Sequence, residues 1–190
     1  RRLSNQGLID LAEGRFEQAE TSLLKLVEFA ENPLLNYLAA ARAAQLQGKY
    51  DQRDNYLKDA HDANPEAVIA IGVTQGELQL ASKQTERALA TLTHLRSVVP
   101  KHDYVLKLLV RVYYQIEDWG KLCELLPEVR KKKLFDDNKL KEIELKAYAG
   151  LLDETGLTDP PALSKAWAKI PKDFHGDIGL ILHYVDLTRR

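Results

Sequence analysis

Several features are scarce or missing in this chain of 190 residues, and each absence excludes a class of protein. It has one cysteine, so an internal disulfide and a cysteine-rich zinc site are both excluded. No apolar run approaches the roughly 18–20 residues that a membrane-spanning helix needs. The formal net charge is −1, which argues against a broad basic surface for nucleic acid. There is no methionine, so we expect the chain to be an internal or processed part of a longer protein.

An aromatic residue or a threonine follows a short polar turn four times along the chain. These residues are Phe16, Tyr50, Thr85 and Trp119, at intervals of 34, 35 and 34 residues. A fixed period of this length is the sequence signature of a repeat architecture. The chain is therefore predicted to consist of repeated structural units.

Each repeat carries apolar positions with helical spacing on both sides of this turn. After the first turn, Ala19, Leu23 and Leu26 fall on one face of a helix. Before the turn, the first and third repeats place Gly7 and Gly76 at equivalent positions. Small residues there would let the two helices of a pair approach closely. The pattern predicts pairs of antiparallel helices.

This combination resembles the tetratricopeptide repeat (TPR), a 34-residue pair of helices. The resemblance implies an all-α fold, a right-handed solenoid whose pairs stack because each leaves an apolar face uncovered. Arg53 departs from the small residue expected early in the second helix of its repeat, and the third repeat lacks its turn glycine. We expect one solenoid domain over 1–190, with repeats at about 1–33, 34–67, 68–102, 103–136, a degenerate 137–175 and a half-repeat 176–190.

The pattern predicts eleven helices, with a loop over residues 155–161. Their expected ranges are about 3–13, 16–31, 34–47, 51–63, 66–81, 84–98, 102–116, 119–132, 137–154, 162–170 and 176–188. Trp167 and Ile170 are expected to face inward. The last helix is expected to be the first half of a further repeat.

Several segments resemble HemY-like proteins, in the same order along the chain. They are LAEGRF (11–16), NPLLNYLAAA (32–41), ELQLA (77–81), VPKH (99–102) and AYAGLL (147–152), followed by Leu163 and Trp167. The resemblance implies a bacterial inner-membrane protein linked to a late step of haem biosynthesis and anchored by N-terminal helices absent from this chain. It also implies that Arg1 and Arg2 end a basic stretch, which would place the domain in the cytoplasm.

A TPR solenoid commonly binds protein or peptide partners on its concave face, and the narrower resemblance adds haem-pathway enzymes as candidate partners. The helical register places eight residues on this face: Asn36, Arg42, Gln45, Glu77, Tyr104, Lys107, Arg111 and Tyr114. Arginine and tyrosine are enriched at binding hot spots. Glu77 is expected either to receive a basic side chain or to pair with an arginine. The alternative is that all eight are solvated positions with ion pairs worth less than about 1 kcal/mol.

Nothing in the sequence indicates catalytic residues, a metal site, a bound cofactor or nucleic-acid binding, and we expect none of them. Residues 130–133 form the densest charge run, interpreted as a solvated helix end, with contact to anionic lipid as the alternative. The five histidines form no His-x-x-x-His pair, and Cys123 is expected to be a buried thiol.

The sequence therefore favours a protein-interaction scaffold that is not an enzyme. Two alternatives stay open. One is a TPR adaptor in cell-envelope or pilus assembly, and the other is a carrier that binds porphyrin or haem.

Overall fold

The computed structural model describes the backbone of residues 2–189 and the side chains of residues 6–159 and 161–189. Within that part the chain is helical and contains no β-strand. It divides into two compact units, one ending at Pro100 and the other beginning at Lys101. Arg1 and the side chain of Arg2 lie outside the described residues, and so does the expectation placed on them. The single solenoid domain over 1–190 remains a prediction.

The first unit consists of three helical pairs. Its helices are α1 (Arg2–Ala12), α2 (Phe16–Val27), α3 (Leu34–Leu46), α4 (Tyr50–Ala63), α5 (Val68–Ala81) and α6 (Thr85–Val98). We call the helix before each predicted turn an A helix and the one after it a B helix. Each A helix packs on its own B helix, α2 packs on α3, α4 packs on α5, and α3 also touches α5.

The second unit continues the pattern and then departs from it. Its helices are α7 (Asp103–Gln115), α8 (Trp119–Lys131), α9 (Asp137–Thr158), α10 (Leu163–Lys169) and α11 (Ile178–Thr188), with 3-10 turns at Pro160–Ala162 and Lys172–Phe174. The A helix α9 packs on α8, on the short α10 and on α11. Ile170 is buried as predicted, and the partly buried Trp167 packs against the same core.

The ends of two helices lie more than two residues from the predicted positions. Helix α2 ends at Val27 instead of about residue 31, because its apolar stripe runs out and Phe29 is 83% exposed. Helix α9 continues to Thr158 through residues predicted to form a loop. It does so because Gly156 lies against Leu187 of α11, so the last turn of α9 is packed. The helix stops before Pro160, which disfavours helical backbone in the residue preceding it.

The four A-to-B turns share one backbone geometry. In each turn, the residue two positions before the recurring aromatic residue or threonine has a positive φ: Gly14 (79°), Gly48 (73°), Lys83 (58°) and Glu117 (57°). The N–H that follows each of these residues donates to the carbonyl five positions earlier in the chain, at 2.8–3.0 Å. This is the Schellman motif, which ends a helix with one left-handed residue and favours glycine there. The third and fourth repeats keep the motif without the glycine.

Close A-to-B packing accounts for the predicted small and apolar positions. A β carbon added at Gly76 would lie 2.8 Å from Leu92 Cδ2, so the glycine allows the two helices to approach. Ala88 and Leu92 are fully buried in the same pair. The predicted stripe of helix α2 is buried at Ala19 and Leu23 and only partly buried at its end.

Arg53, the departure from the TPR pattern, is a fully buried arginine. Its Nη1 donates to Gln45 Oε1 at 2.8 Å and its Nη2 donates to Gln84 Oε1 at 3.0 Å. Its Nε donates to Asp54 at 2.8 Å, and the guanidinium lies 5.3 Å from the centre of the Tyr50 ring. A buried charge is tolerated only when it is paired and hydrogen-bonded. Arg53 therefore connects the second repeat to the third through polar contacts.

A second buried polar group, Glu20, connects the first repeat to the second. It accepts hydrogen bonds from Tyr56 Oη at 2.6 Å, Gln47 Nε2 at 2.8 Å and Lys49 Nζ at 3.3 Å. Burial alone would raise the pKa of Glu20, but these three donors together bring it below its ordinary value. Burial and the negative charge of Glu20 raise the pKa of Tyr56 to about 12.

Candidate partner-binding site

In the first unit, the predicted residue Arg42 is already paired with another predicted residue. Arg42 on α3 and Glu77 on α5 form an ion pair at 2.9 Å between successive A helices. The Arg42 side chain is 50% exposed and that of Glu77 is 23% exposed. Such a pair contributes less than about 1 kcal/mol to stability. It does, however, neutralise the charge that Arg42 could offer to a partner.

The other two predicted residues of the first unit make hydrogen bonds inside the repeat array. Asn36 Nδ2 donates to the Leu23 carbonyl at 3.2 Å, which joins α3 to α2. Gln45 Oε1 accepts from the buried Arg53 at 2.8 Å. Both side chains are partly buried. Their polar groups hold neighbouring helices together, and we leave them out of the binding site proposed below.

In the second unit, two predicted residues line a cavity of about 310 Å³ between the A helices α7 and α9. Seven residues form its wall: Val110, Arg111, Tyr114, Gln115, Phe135, Lys139 and Ile143. Val110 and Ile143 are buried and provide an apolar floor. Phe135 enters from the turn between α8 and α9. The predicted face of α7 therefore continues onto α9.

The rim of this cavity carries positive charge. Arg111 is exposed, and among the side chains that the structure describes it has neither an ion pair nor a hydrogen bond. The Lys107 ammonium lies 5.7 Å from the centre of the Phe135 ring, a cation–π distance. Lys139 bonds Glu142 at 2.9 Å, one helical turn along α9. The cavity thus combines aromatic and aliphatic walls with an unpaired guanidinium.

Tyr104 and Tyr114 lie at opposite ends of this face of α7. The Tyr114 ring meets the Trp119 ring edge-on, with centroids 5.7 Å apart, so its position at the cavity is fixed by packing. Tyr104 is 39% exposed near the start of α7 and does not line the cavity. That all eight predicted residues share one groove remains a prediction.

Five wall residues were not among the predicted site residues: Val110, Gln115, Phe135, Lys139 and Ile143. A signal for Lys139 was present, because it stands 35 residues after Tyr104 and so repeats the register of the α7 face. Phe135 directly precedes Asp136, whose carboxylate accepts from the backbone N–H of Lys139 and caps α9. An apolar residue just before a helix cap is a recognised sequence pattern.

The charge run at residues 130–133 makes more ion pairs with the rest of the second unit than the interpretation as a solvated helix end predicts. Arg130 donates to the buried Glu144 from Nε at 3.0 Å and from Nη2 at 2.8 Å, and Lys132 pairs with Asp103. Burial raises the pKa of Glu144, although Arg130 opposes that shift. Lys131 and Lys133 are exposed. Half of the run therefore stabilises the second unit.

Three of the histidines contact neighbouring residues of the fold, and the cysteine is partly buried. The His175 ring stacks on Trp167 at 4.9 Å, His183 Nε2 lies 2.9 Å from Asp153 Oδ1, and His102 accepts from the backbone at the start of α7. The Cys123 thiol is partly buried, and burial raises its pKa to about 12. Among the residues described, no three His, Cys, Asp or Glu side chains form a group that could hold a metal ion.

The paired helices and their recurring turns define the protein class as a helical-repeat protein of TPR type. PilF from Pseudomonas aeruginosa has a similar structure, with a TM-score of 0.59 at 18% identity, over 99% of this chain and 82% of that chain. A double mutant of MamA RS-1 gives a TM-score of 0.57 at 19% identity, over 98% and 93%. At these identities the likeness shows the fold alone, and it confirms the predicted fold class.

Within this class the chain resembles HemY. Residues 1–48 match the family described as HemY protein N-terminus. Protein HemY from Escherichia coli (strain K12) is 32% identical over 154 residues, which is 81% of this chain and 39% of that relative. Protein HemY from Shigella flexneri gives the same values. The resemblance seen in the sequence is confirmed, and the matched region is about two fifths of these curated relatives.

None of the described helices has the length and the apolar character that crossing a membrane requires.

Proposed function

We propose that the chain is a partner-binding scaffold in a HemY-like protein and that its A helices present the binding surface. The observation that carries the proposal is the cavity between α7 and α9, where Arg111 has no partner among the described side chains. Arginine and tyrosine, which this cavity has in Arg111 and Tyr114, are enriched at interaction hot spots. The scaffold acts by holding partners and performs no chemistry itself.

The HemY resemblance supports a narrower form of this proposal. The scaffold would belong to a protein anchored in the bacterial inner membrane, with this chain on the cytoplasmic side. Its partners would be membrane-associated proteins, haem-pathway enzymes among them. In that setting it would bring successive enzymes together, so that a reactive porphyrin passes between them.

Affinity capture of the full-length protein from its native membrane, after crosslinking, tests the scaffold. The sequence alone treats Arg42 and Arg111 as equivalent, but the ion pair to Glu77 makes them different. We therefore expect Arg111→Glu to reduce partner recovery strongly and Arg42→Glu to leave it nearly unchanged. Equal recovery of partners by wild type and Arg111→Glu would show that this cavity does not take part in partner binding.

Two other functions remain to be separated from this one. An adaptor in envelope or pilus assembly would yield envelope or pilus proteins in the same capture experiment. The likeness to PilF does not favour that outcome, since it shows the fold alone. A porphyrin or haem carrier would shift the Soret band of added ligand at stoichiometric concentration. We expect no shift with the purified chain.

A further inference from the structure

We propose that the cavity between α7 and α9 recognises a protein segment in which an aspartate or glutamate stands next to a large apolar side chain. This inference rests on the proposed function and specifies the chemistry of the partner. The carboxylate would bind Arg111, and the apolar side chain would enter the cavity between Tyr114 and Phe135.

The charge at the cavity favours an acidic partner. The residues that line the cavity include two cations, Arg111 and Lys139, and no carboxylate. Glu142 pairs with Lys139 and so neutralises that cation, and Asp103 near the start of α7 pairs with Lys132. The unpaired charge at the cavity is therefore that of Arg111. A guanidinium can bind a carboxylate through two parallel hydrogen bonds, and bonds between charged groups are the stronger ones. A partner carboxylate would give Arg111 the partner that it lacks within the described structure.

The size and the apolar walls of the cavity favour a large apolar side chain beside that carboxylate. A volume of about 310 Å³ is at the lower end of the range for ligand pockets, which suits one large side chain. Val110 and Ile143 form the floor, and Phe135 and Tyr114 form aromatic walls. A bare anion would use Arg111 and leave these walls in contact with water. Burying an apolar side chain there adds the hydrophobic contribution, about 25 cal/mol per Å² of apolar surface.

The first unit supplies a comparison within the same chain. Arg42 is also an exposed arginine on an A helix, but Glu77 already pairs with it at 2.9 Å. If any exposed arginine of an A helix sufficed, the two positions would contribute equally to binding. If an unpaired arginine at an apolar cavity is required, only Arg111 contributes.

The test uses the full chain and three fluorescent peptides of equal length, acetylated and amidated, whose centres read Glu-Phe-Glu, Gln-Phe-Gln and Glu-Ala-Glu. Binding is measured by fluorescence anisotropy. We expect saturable binding of the Glu-Phe-Glu peptide and affinities about tenfold lower for each of the other two. Arg111→Gln should weaken binding of the Glu-Phe-Glu peptide by about tenfold. Arg42→Gln should change it by less than about twofold.

Several outcomes would overturn the inference. They are equal binding of the Glu-Phe-Glu and Gln-Phe-Gln peptides, an unchanged affinity in Arg111→Gln, and no saturable binding at millimolar peptide. Undiminished binding by Phe135→Ala would show that the cavity does not bind the apolar side chain. Inorganic phosphate that displaces the peptide as well as unlabelled Glu-Phe-Glu peptide does would show the same, because the site would then bind only an anion. Circular dichroism of each variant verifies its helical content.

Failure of this inference can be told from failure of the scaffold itself. If Arg111→Glu abolishes partner capture while acidic peptides do not bind, the scaffold stands and the proposed partner chemistry is wrong. If the peptides bind but capture does not depend on Arg111, the cavity binds acidic segments without serving the proposed function.

Discussion

Gly150 of helix α9 lies directly against the indole ring of Trp119. A β carbon at this glycine would overlap Nε1 of the ring and stand 2.5 Å from two of its carbons. Trp119 is the aromatic residue that follows the turn of the fourth repeat. Its side chain is 93% buried. The same ring supports Tyr114 at the wall of the binding cavity and lies below the Lys146 ammonium. Close packing at one glycine therefore positions part of the site.

Gly150→Ala should destabilise the second unit by about 1–3 kcal/mol, because a rigid buried ring must move to admit the methyl group. Chemical denaturation measures the loss. Gly120→Ala is the matched control, since the nearest atom to its new β carbon is Asp118 Oδ1 at 3.8 Å. Alanine is the better helix former, so the control should be neutral or slightly stabilised. Equal behaviour of the two variants would contradict the packing described.

Arg53→Ala restores the small residue typical of a TPR and should nevertheless lower the free energy of unfolding by about 2–4 kcal/mol. The substitution opens a cavity and leaves Gln45 and Gln84 without their shared donor. Arg42→Ala removes an exposed ion pair instead and should cost less than about 1 kcal/mol. A higher free energy of unfolding in Arg53→Ala would show that the buried arginine does not stabilise the fold.

Lys83→Gly should stabilise the first unit by about 0.5–1 kcal/mol, although it introduces a glycine. Lys83 has a φ of 58°. This left-handed backbone conformation is strained for a residue with a β carbon and almost free of strain for glycine. Gly48→Ala, at the equivalent turn with a φ of 73°, should have the opposite sign. Melting temperatures of the two variants provide the comparison. Destabilisation of Lys83→Gly would mean that side-chain contacts outweigh the backbone term.

Glu20 should make the first unit less stable in acid. Its folded pKa is below the ordinary value near 4.5, so its contribution is fully present above that value and is lost as pH falls through the folded pKa. A carboxyl-carbon NMR titration reads the pKa directly. Tyr56→Phe removes the 2.6 Å donor and should move the pKa of Glu20 upward. A wild-type pKa at or above the ordinary value would show that burial outweighs the three donors.

Much of the fold was predictable because the same turn and the same helical pattern of apolar residues recur in successive repeats. The intervals of 34, 35 and 34 residues located the turns even where Lys83 and Glu117 replace glycine. The end of α9 was not predictable in the same way. Gly156 and Thr155 are typical of a loop, but Leu187 of α11 packs against that turn, a tertiary contact that the local sequence does not reveal.

The binding site was predictable only in part, because helical register gives the face of a residue and not its partner. Register placed both Arg42 and Arg111 on A-helix surfaces, yet the ion pair to Glu77 separates them. Gln45 had the right spacing for that surface, but the neighbouring Arg53 turned its amide into an internal acceptor. Phe135 lies in a turn, where periodicity gives no information.

Site-specific photocrosslinking in the full-length protein shows whether partners bind at the cavity between α7 and α9. One photoreactive residue replaces the exposed Gln115 at the cavity, and in a second protein it replaces the exposed Lys131 of α8, which does not line the cavity. We predict a partner adduct from position 115 that Arg111→Glu abolishes and that Arg42→Glu leaves intact. Adducts of equal yield from positions 115 and 131, insensitive to Arg111→Glu, would show that partners do not bind specifically at this cavity.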